Sequence, residues 1–246
     1  MVIAVCNQKG GVGKSTTAGA VGAGLVKKGY SVLMIDLDPQ SNLSYSLGII
    51  RESITSMNVL LGTADINDGI IKTLWGDLLP AGAGLAVADI ELKDTGREYR
   101  LKESLTDVSY DYVIIDCPPS LGILTINALT ACDSVIIPAQ ADIYSLQGIG
   151  GLTSTIASVK KYTNQHIKIL GLLLTRYNSR TVLSKELTAM LEDTATKLGT
   201  KVFKTKIREC TALKESQAQQ ESIFDYAPRS NASKDYTTLI EELLEQ

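Results

Sequence analysis

The glycine-rich stretch VCNQKGGVGKSTT, at residues 5–17, constrains the fold of this chain more than any other feature. Its last part, Gly13-Lys14-Ser15, ends the phosphate-loop pattern, in which a glycine and four further residues precede Gly-Lys-Ser/Thr. Such loops join a buried strand to a helix, and an apolar run comes directly before this one. The stretch therefore predicts an α/β fold. Gln8 stands where the first glycine belongs, and the lysine beside it, Lys9, needs an explanation.

Short apolar runs alternate with longer amphipathic ones along the chain, which is typical of a doubly wound, mostly parallel sheet flanked by helices. Strands are predicted at residues 2–6, 31–36, 112–116, 134–139, 167–175 and 201–203, and helices at residues 14–28, 121–131, 145–162, 181–198 and 233–244. Between residues 53 and 107 the pattern weakens into short helices and loops. Hydrophobic residues make up 44% of the chain and aromatic ones 5%, which suits an aliphatic core. Because no repeat or linker-like segment interrupts it, the chain is predicted to form one domain.

Composition disfavours several classes of protein. No run of about 18 apolar residues indicates a membrane span, and the first residues lack the basic region and cleavage site of a signal peptide. A cytoplasmic protein is therefore expected. The four cysteines, Cys6, Cys117, Cys132 and Cys210, lack the spacing of a zinc site or a redox pair and are expected to be reduced and buried.

The residues of the loop suit the phosphates of a nucleotide. Its glycines allow successive backbone N–H groups to point inward at phosphate oxygens, and the following helix adds its dipole. Lys14 would reach the β- and γ-phosphates, and the Ser15 hydroxyl would hold Mg²⁺. A glycine-rich turn without a ligand is the less favoured alternative. The predicted nucleotide-binding residues of the loop are Gly10, Gly11, Val12, Gly13, Lys14 and Ser15, and the family resemblance given below implies Lys9 and Thr16 as well.

Carboxylates end two of the predicted strands. Asp116 closes YVIID in the manner of a Walker B acid that reaches Mg²⁺. Asp36 and Asp38 close SVLMIDLD, where one side chain can face the metal ion while the other faces the attacking water. We predict Ser15, Asp36 and Asp116 as the residues of the metal site.

These motifs resemble those of a known family. KGGVGKST, DLDPQ and DCPPS, in this order, are similar to the signatures of the ParA/Soj ATPases, which carry a deviant Walker A motif. The stretches PAQADIYSLQGIGGL, LLTRYNSRTVL and APRS extend the resemblance over nearly the whole chain, apart from residues 50–105. The resemblance implies a P-loop NTPase fold of the SIMIBI type, ATP and Mg²⁺ as cofactors, and slow ATP hydrolysis that acts as a molecular switch.

The resemblance also implies roles for single residues, and it explains Lys9. In the family a lysine at this position reaches across an ATP-dependent homodimer to the phosphates bound by the partner subunit, much as an arginine finger does. Lys9, Lys14 and Asp38 are thus the predicted catalytic residues, with Asp38 at the hydrolytic water. The predicted base-contacting residues, in a loop that often reads Pro-Arg-Asn in the family, are Ile207, Arg208 and Glu209.

Charge is distributed unevenly along the chain. Residues 1–150 carry 10 basic and 16 acidic side chains, residues 151–214 carry 12 and 4, and residues 215–246 carry 2 and 7. The basic segment is either a surface for a polyanion or an ordinary solvated helix face. The resemblance implies non-specific DNA as the polyanion, and Arg180 coincides with the family's DNA-contacting arginine. Weaker candidates, from charge alone, are Lys160, Lys161, Lys185, Lys201, Lys204, Lys206 and Lys214.

The resemblance further implies a nucleoid-associated partition ATPase, whose ParB-like partner stimulates hydrolysis and releases the dimer from DNA. A MinD-like membrane-cycling ATPase is the main alternative, but the C-terminal stretch DYTTLIEELLEQ is acidic and would be repelled by anionic lipid. An electron-transfer protein similar to the nitrogenase iron protein would need a second suitable loop cysteine. A P-loop ligase such as dethiobiotin synthetase has a similar fold, and DNA-stimulated ATP hydrolysis would separate it from a partition ATPase.

Overall fold

The computed structural model describes residues 1–178 and 182–245, which contain six strands. The strands are β1 (Val2–Val5), β2 (Val32–Asp36), β3 (Asp77–Leu79), β4 (Tyr112–Asp116), β5 (Ser134–Ala139) and β6 (Lys168–Leu174). They form one sheet in the order β3-β2-β4-β1-β5-β6, and every neighbouring pair is parallel. The α/β fold with a parallel sheet, predicted from the alternating pattern, is confirmed.

Helices connect these strands. Those in the described ranges are α1 (Lys14–Lys27), α2 (Asn42–Ser46), α3 (Ser56–Leu60), α4 (Ile66–Gly69), α5 (Ala88–Glu91), α6 (Arg100–Ser104), α7 (Ile123–Ala131), α8 (Ile143–Tyr162), α9 (Val182–Lys197), α10 (Thr211–Ala218), α11 (Ile223–Tyr226) and α12 (Asn231–Leu244). Three short 3₁₀ helices lie at Ala83–Val87, Arg97–Tyr99 and Leu105–Asp107. Within the described part of the chain, no helix combines the length and the apolar character needed to cross a membrane.

Several elements differ from the pattern-based expectation. Residues 201–203, predicted as a strand, contribute only an isolated bridge between Leu172 and Val202. Strand β3, at the edge of the sheet, was hidden in the weakly patterned region because three residues are too few to show a period. Helix α10 was also missed, because its sequence TALKESQA carries little apolar periodicity.

Helices cover both faces of the sheet, which explains why its strands are apolar throughout rather than alternating. On one face, Ile3 and Val5 of β1 belong to a buried cluster with α1 and α12. On the other face, Ala4 belongs to a cluster with residues of α7 and α8. Successive side chains of β1 therefore pack into two different cores, one on each face of the sheet. Both cores stabilise the strand that leads into the phosphate loop.

Helix α1 lies close to its neighbours because two of its glycines have no side chain. A Cβ atom at Gly22 would lie 2.5 Å from the Sδ atom of Met34 in β2, and one at Gly24 would collide with Ile240 of α12. The helix that begins at the phosphate loop is thus fixed between the sheet and the C-terminal helix.

The strand order creates a crevice at the carboxyl ends of β1 and β4. From β1 the chain passes through α1 to β2 on one side, whereas from β4 it passes through α7 to β5 on the other side. Ligands of open α/β sheets bind at such a point, outside the carboxyl ends of the strands. The register pairs Val5 with Asp116 and Asp116 with Asp36, so the phosphate loop and two of the predicted acids meet there.

Candidate functional site

The phosphate loop leaves β1 and enters α1 through two left-handed glycines. Gly11 has φ of 74° and Gly13, the N-terminal cap of α1, has φ of 86°, a region that L side chains rarely adopt. A Cβ atom at Gly10 or Gly11 would meet no other atom within 4 Å. The glycines therefore leave open space beside the backbone rather than a packed turn, as a cradle for a phosphate requires.

Lys14 lies in the first turn of α1 and is almost fully buried, with 6% of its surface exposed. Its ammonium donates a hydrogen bond to the carbonyl of Lys9 at 3.1 Å. Burial lowers the pKa of Lys14, while the charges of Asp116 and Asp38 act in the opposite direction. A cation is thus held in a low-dielectric site, beside two of the predicted acids and at the helix N-terminus.

Asp36 ends β2 and has both carboxylate oxygens occupied by donors of this chain. Its Oδ1 atom accepts from the N–H of Asp38 at 3.0 Å, and its Oδ2 atom accepts from the N–H and hydroxyl of Ser44 at 2.9 and 2.7 Å. Burial raises the pKa of Asp36 to about 6, although these hydrogen bonds favour the charged form. The side chain therefore fixes the turn that leads into α2.

Asp116 lies beside Asp36 in the neighbouring strand and differs from it in one respect. The side chain is fully buried, yet no described residue donates a hydrogen bond in good geometry to either of its oxygens. Burial and the Asp36 carboxylate raise the pKa of Asp116 well above its usual value, and the Ser15 hydroxyl and Lys14 only partly oppose this. A buried carboxylate without partners is costly unless a cation is nearby.

Mg²⁺ fits this donor set. The Asp116 oxygens and the Ser15 hydroxyl are hard ligands, and Mg²⁺ is commonly held in nucleotide sites by one or two protein oxygens together with phosphates and water. The described residues contain no group of three or more His, Cys, Asp or Glu side chains that could hold a metal ion by themselves. Phosphate and water oxygens would have to complete the coordination. The place of Asp36 in the metal site stays a prediction. Its two oxygens already accept three hydrogen bonds from this chain, and a metal ion would have to compete with these donors.

Asp38 faces the cleft rather than the core of the turn. Its Oδ1 atom accepts from the N–H of Gln40 at 3.0 Å, and the residue lines a cleft of about 390 Å³. The Asp36 carboxylate accepts hydrogen bonds from the N–H groups of Asp38 and Ser44, whereas the Asp38 carboxylate lines the cleft. The two acids of DLD therefore lie in different environments. The residues that line the cleft are Gly10, Gly11, Gly13, Lys14, Ser15, Thr16, Asp38, Gln40, Asn42, Tyr45, Pro119 and Gln217.

A second cavity, of about 170 Å³, continues the cleft on the side of the predicted base loop. Ile207, Arg208 and Glu209 line it, and it shares Thr16 and Gln217 with the cleft, as well as two loop glycines. The three predicted base-loop residues therefore lie next to the phosphate loop. A nucleotide could place its phosphates in the cleft and its base in this cavity.

The side chains of the base loop are engaged with other residues of the chain. The Arg208 guanidinium forms two-pronged hydrogen bonds to Asp235 of α12, including one of 2.6 Å, and Glu209 pairs with Arg176 at 3.0 Å. Ile207 is buried, and its backbone N–H donates to Leu174 of β6 at 2.8 Å. The loop is thereby fixed to the sheet and to α12.

Gln217 is a residue of the site that sequence reasoning missed. Its carboxamide Nε2 donates to the Thr16 hydroxyl at 3.0 Å, and it lines both the cleft and the second cavity. It lies on α10, which no pattern predicted, so no sequence signal was available for it. Val12, predicted at the loop, is buried, and its carbonyl accepts from the Thr175 hydroxyl at 2.8 Å.

Lys9, the predicted lysine that acts across a dimer, contacts its own chain here. Its ammonium forms a salt bridge with Asp142, which lies just before α8. The side chains of Lys9 and Asp142 are 25% and 30% exposed, so the pair is partly shielded from water. Its predicted action on a partner subunit stays a prediction, since the structure contains one chain.

The predicted DNA-contacting residues are spread over several environments. Arg180 and the side chain of Lys185 lie outside the described residues. Lys204 and Lys214 are exposed, and Lys214 also lines the second cavity. The Lys206 ammonium lies 4.6 Å from the centre of the Tyr177 ring.

The expectation that all four cysteines are reduced is wrong for two of them in this structure. Cys6 and Cys117 follow directly after the paired residues Val5 and Asp116, so the parallel register places their Cα atoms 5.2 Å apart, and they form a disulfide. Sequence spacing could not reveal this pair, because the two residues are 111 positions apart. Cys132 and Cys210 are free thiols.

Comparison with known proteins finds relatives that match nearly the whole chain. A family model described as an AAA domain matches residues 1–169. The sporulation initiation inhibitor protein Soj of Bacillus subtilis is 43% identical, over 98% of this chain and 97% of its own. The chromosome partitioning protein ParA of Caulobacter vibrioides is 39% identical, over 99% of this chain and 93% of its own. A crystal structure described as cobyrinic acid a,c-diamide synthase of Mycobacterium smegmatis, with bound ADP and magnesium, superposes with a TM-score of 0.86 at 38% identity, over 99% of this chain and 93% of that one.

Proposed function

Because this chain belongs to the ParA/Soj family of P-loop ATPases, we propose that it is a DNA-partition ATPase whose nucleotide state switches its binding to DNA. It binds ATP with Mg²⁺ and closes into a homodimer that binds DNA without sequence preference. Slow hydrolysis, stimulated by a ParB-like partner, reopens the dimer. In this proposal residues 1–246 act as one domain, in the cytoplasm and on the nucleoid.

The observation that carries the proposal is the unpartnered Asp116 carboxylate beside the open glycine cradle. A buried carboxylate of this kind implies a cation, and the buried Lys14 beside it implies an anion, which together describe a metal–phosphate ligand. Lys14 would neutralise the β- and γ-phosphates, and Ser15 and Asp116 would hold Mg²⁺. When bound, the ion would stabilise the charge that develops on the phosphate oxygens.

Asp38 is the residue that we assign to the attacking water. Its carboxylate lines the same cleft as Lys14, and its position is fixed because its backbone N–H donates to Asp36 and its Oδ1 atom accepts from the N–H of Gln40. Lys9 would supply a positive charge to the phosphates of the partner subunit. In this arrangement ATP itself forms part of the dimer interface, which makes dimerisation depend on the nucleotide.

DNA binding would use the basic segment at residues 151–214, with 12 basic and 4 acidic side chains. Arg180 is the principal candidate, and a dimer presents the segment twice. Binding of this kind releases counterions from DNA and therefore weakens steeply as salt rises. The alternative of an ordinary solvated surface predicts no DNA binding at moderate salt.

A second candidate function follows from the similarity to the structure described as a cobyrinic acid a,c-diamide synthase. A ligase of this class would use ATP to activate a carboxylate for amide formation. In that case hydrolysis would require the carboxylate substrate and would not respond to DNA. The 43% identity to Soj over nearly the whole of both chains favours the partition ATPase.

The test is ATP-dependent dimerisation and DNA retention of wild type and Lys9→Ala. Lys9→Ala should bind ATP within about threefold of wild type but should neither dimerise nor stay on DNA, because the loop glycines and Lys14 remain while the charge supplied to the partner is lost. Lys28→Ala, which removes an exposed lysine of α1's C-terminal end, is the control. A Lys9→Ala chain that dimerises and hydrolyses normally would contradict the proposal.

A further inference from the structure

Asp142 serves two purposes at once. Its Oδ1 atom accepts from the N–H of Ser145 at 2.9 Å and so caps the N-terminus of α8. Its Oδ2 atom contacts the Lys9 ammonium. The residue that starts α8 therefore also determines where the Lys9 side chain lies.

The first half of the phosphate loop is docked against α8 as a unit. Asn7 donates to the carbonyl of Pro138 at 2.6 Å and accepts from the N–H of Lys9 at 2.9 Å. Glycines of α8 make room for it: a Cβ atom at Gly148 would lie 3.1 Å from the Asn7 carboxamide oxygen, and one at Gly151 would collide with Gln8. The backbone of Lys9 is thus fixed, and only its side chain is left to change direction.

We propose that Asp142 is a positioning residue that holds Lys9 on its own subunit in the nucleotide-free chain, and that this ion pair must break before Lys9 can reach the partner's nucleotide. Asp142 then opposes dimerisation and sets the protein concentration at which the ATP-bound chain pairs. This inference rests on the proposed function, because it takes the action of Lys9 across a dimer as its premise.

The size of the effect follows from the exposure of the pair. Partly exposed ion pairs contribute little, because water and salt screen them. The pair is therefore weak enough to exchange, since a triphosphate with Mg²⁺ offers Lys9 more negative charge than one carboxylate. We expect removal of the Asp142 charge to strengthen the dimer by about three- to tenfold.

The experiment compares Asp142→Asn with wild type in the presence of a non-hydrolysable ATP analogue and Mg²⁺. Asparagine caps helices about as well as aspartate, so this variant removes the charge and keeps α8. The dimer dissociation constant, from sedimentation velocity, should fall by about three- to tenfold at about 50 mM salt. The difference should shrink at about 500 mM salt, because screening already weakens the ion pair in wild type. A purely structural role in capping would not produce that salt dependence.

Two controls separate the charge from the cap. Asp65→Asn makes the same substitution at the exposed cap of α4, where Asp65 accepts from the N–H of Asn67 at 2.8 Å, and should leave the dimer unchanged. Asp142→Ser also keeps a capping side chain without the charge, and replaces Asp142→Asn if that variant melts at a lower temperature than wild type.

Each outcome bears on the inference. An unchanged dissociation constant for both folded Asp142 variants would overturn it. A weaker dimer would also overturn it, because Asp142 would then support Lys9 in the closed state rather than oppose it. A wild-type chain that stays monomeric with the analogue would instead overturn the proposed function, and the inference with it.

Discussion

Two regions of the molecule carry charge but differ in how far water reaches it. One is the phosphate end, which comprises the phosphate loop and the acids that follow β2 and β4, and the other is the basic segment. At the phosphate end, Lys14, Asp36, Asp38 and Asp116 are each at most 6% exposed. In the basic segment, residues 151–214, the described lysines lie at the surface, and Lys206 packs beside the aromatic ring of Tyr177. The phosphate end therefore holds a few charges in a low-dielectric site, whereas the basic segment holds many charges that are exposed to water.

Single substitutions should therefore have unequal effects in the two regions. A charge interaction in a buried site is several times stronger than one at the surface, where water and salt screen it. The phosphate end should therefore respond to single substitutions with changes of about 100-fold, whereas each lysine of the basic segment should contribute little alone. The basic segment can still bind a polyanion, because many weak contacts add up.

Lys14→Ala should have the largest effect and tests the buried side of the comparison. ATP affinity, measured by calorimetry, should fall by about 100-fold or more, because a charge-assisted contact to phosphate is lost in a site that excludes water. Lys28→Ala, at the exposed C-terminal end of the helix that begins at Lys14, should bind ATP as wild type does. Similar affinities for the two variants would remove the distinction between buried and exposed charge.

Asp38→Ala should separate chemistry from binding within the buried site. Removing a water-positioning carboxylate should lower the hydrolysis rate by about 100-fold, in the range of general-base contributions, while ATP affinity stays within about threefold. The ATP-bound dimer should then persist on DNA in a retention time course. Asp36→Ala, two residues earlier, removes the acceptor for the Asp38 N–H and for Ser44, so it should also weaken Mg²⁺-dependent nucleotide binding. Normal turnover of Asp38→Ala would show that the assignment of the two acids is wrong.

Asp116→Asn tests whether the unpartnered carboxylate strains the nucleotide-free chain. The pKa of Asp36 is about 6 in the fold and that of Asp116 is well above its usual value. Both exceed the unfolded value of about 4, so the folded chain binds more protons, and stability falls as pH rises from about 4 through the folded pKa values.

In thermal melts of the nucleotide-free chain, Asp116→Asn should therefore be about 1–3 kcal/mol more stable than wild type near pH 8. Its melting temperature should also fall less between pH 5 and pH 8, because only Asp36 still contributes. ATP with Mg²⁺ should stabilise wild type more than the variant. A variant that is less stable than wild type at pH 8 would show that Asp116 has partners in the nucleotide-free state.

Arg180→Glu should give the smallest effect and tests the basic segment. DNA affinity should fall by about tenfold at low salt, and the slope of log affinity against log salt should become shallower by about 1 to 2. Lys102→Glu, an exposed charge reversal outside the basic segment, is the control. Equal losses for the two variants would indicate that only the net charge matters, rather than the location of the segment.

Local sequence patterns were sufficient to predict the fold class and the residue types at the phosphate end. Apolar runs of the length of β2, β4 and β5, alternating with amphipathic segments, favour parallel strands covered on both faces, and GGVGKST follows its path through glycines with positive φ. Both signals are local, so a window of about 5 to 15 residues contains them. The resemblance to the ParA/Soj family rested on the same motifs and their order, and the comparisons showed the membership.

Which of the predicted residues meet, and what each one contacts, became apparent only in the folded chain. Asp36 accepts hydrogen bonds from Ser44 and Asp38, whereas no donor to Asp116 is found among residues 1–178 and 182–245. This difference depends on turns and register, which no local pattern encodes. Three contacts join residues more than 100 positions apart, namely those of Lys9 with Asp142, of Gln217 with Thr16 and of Cys6 with Cys117. Such contacts arise only when strands take their order in the sheet, because burial and backbone pairing, rather than sequence distance, then bring side chains together.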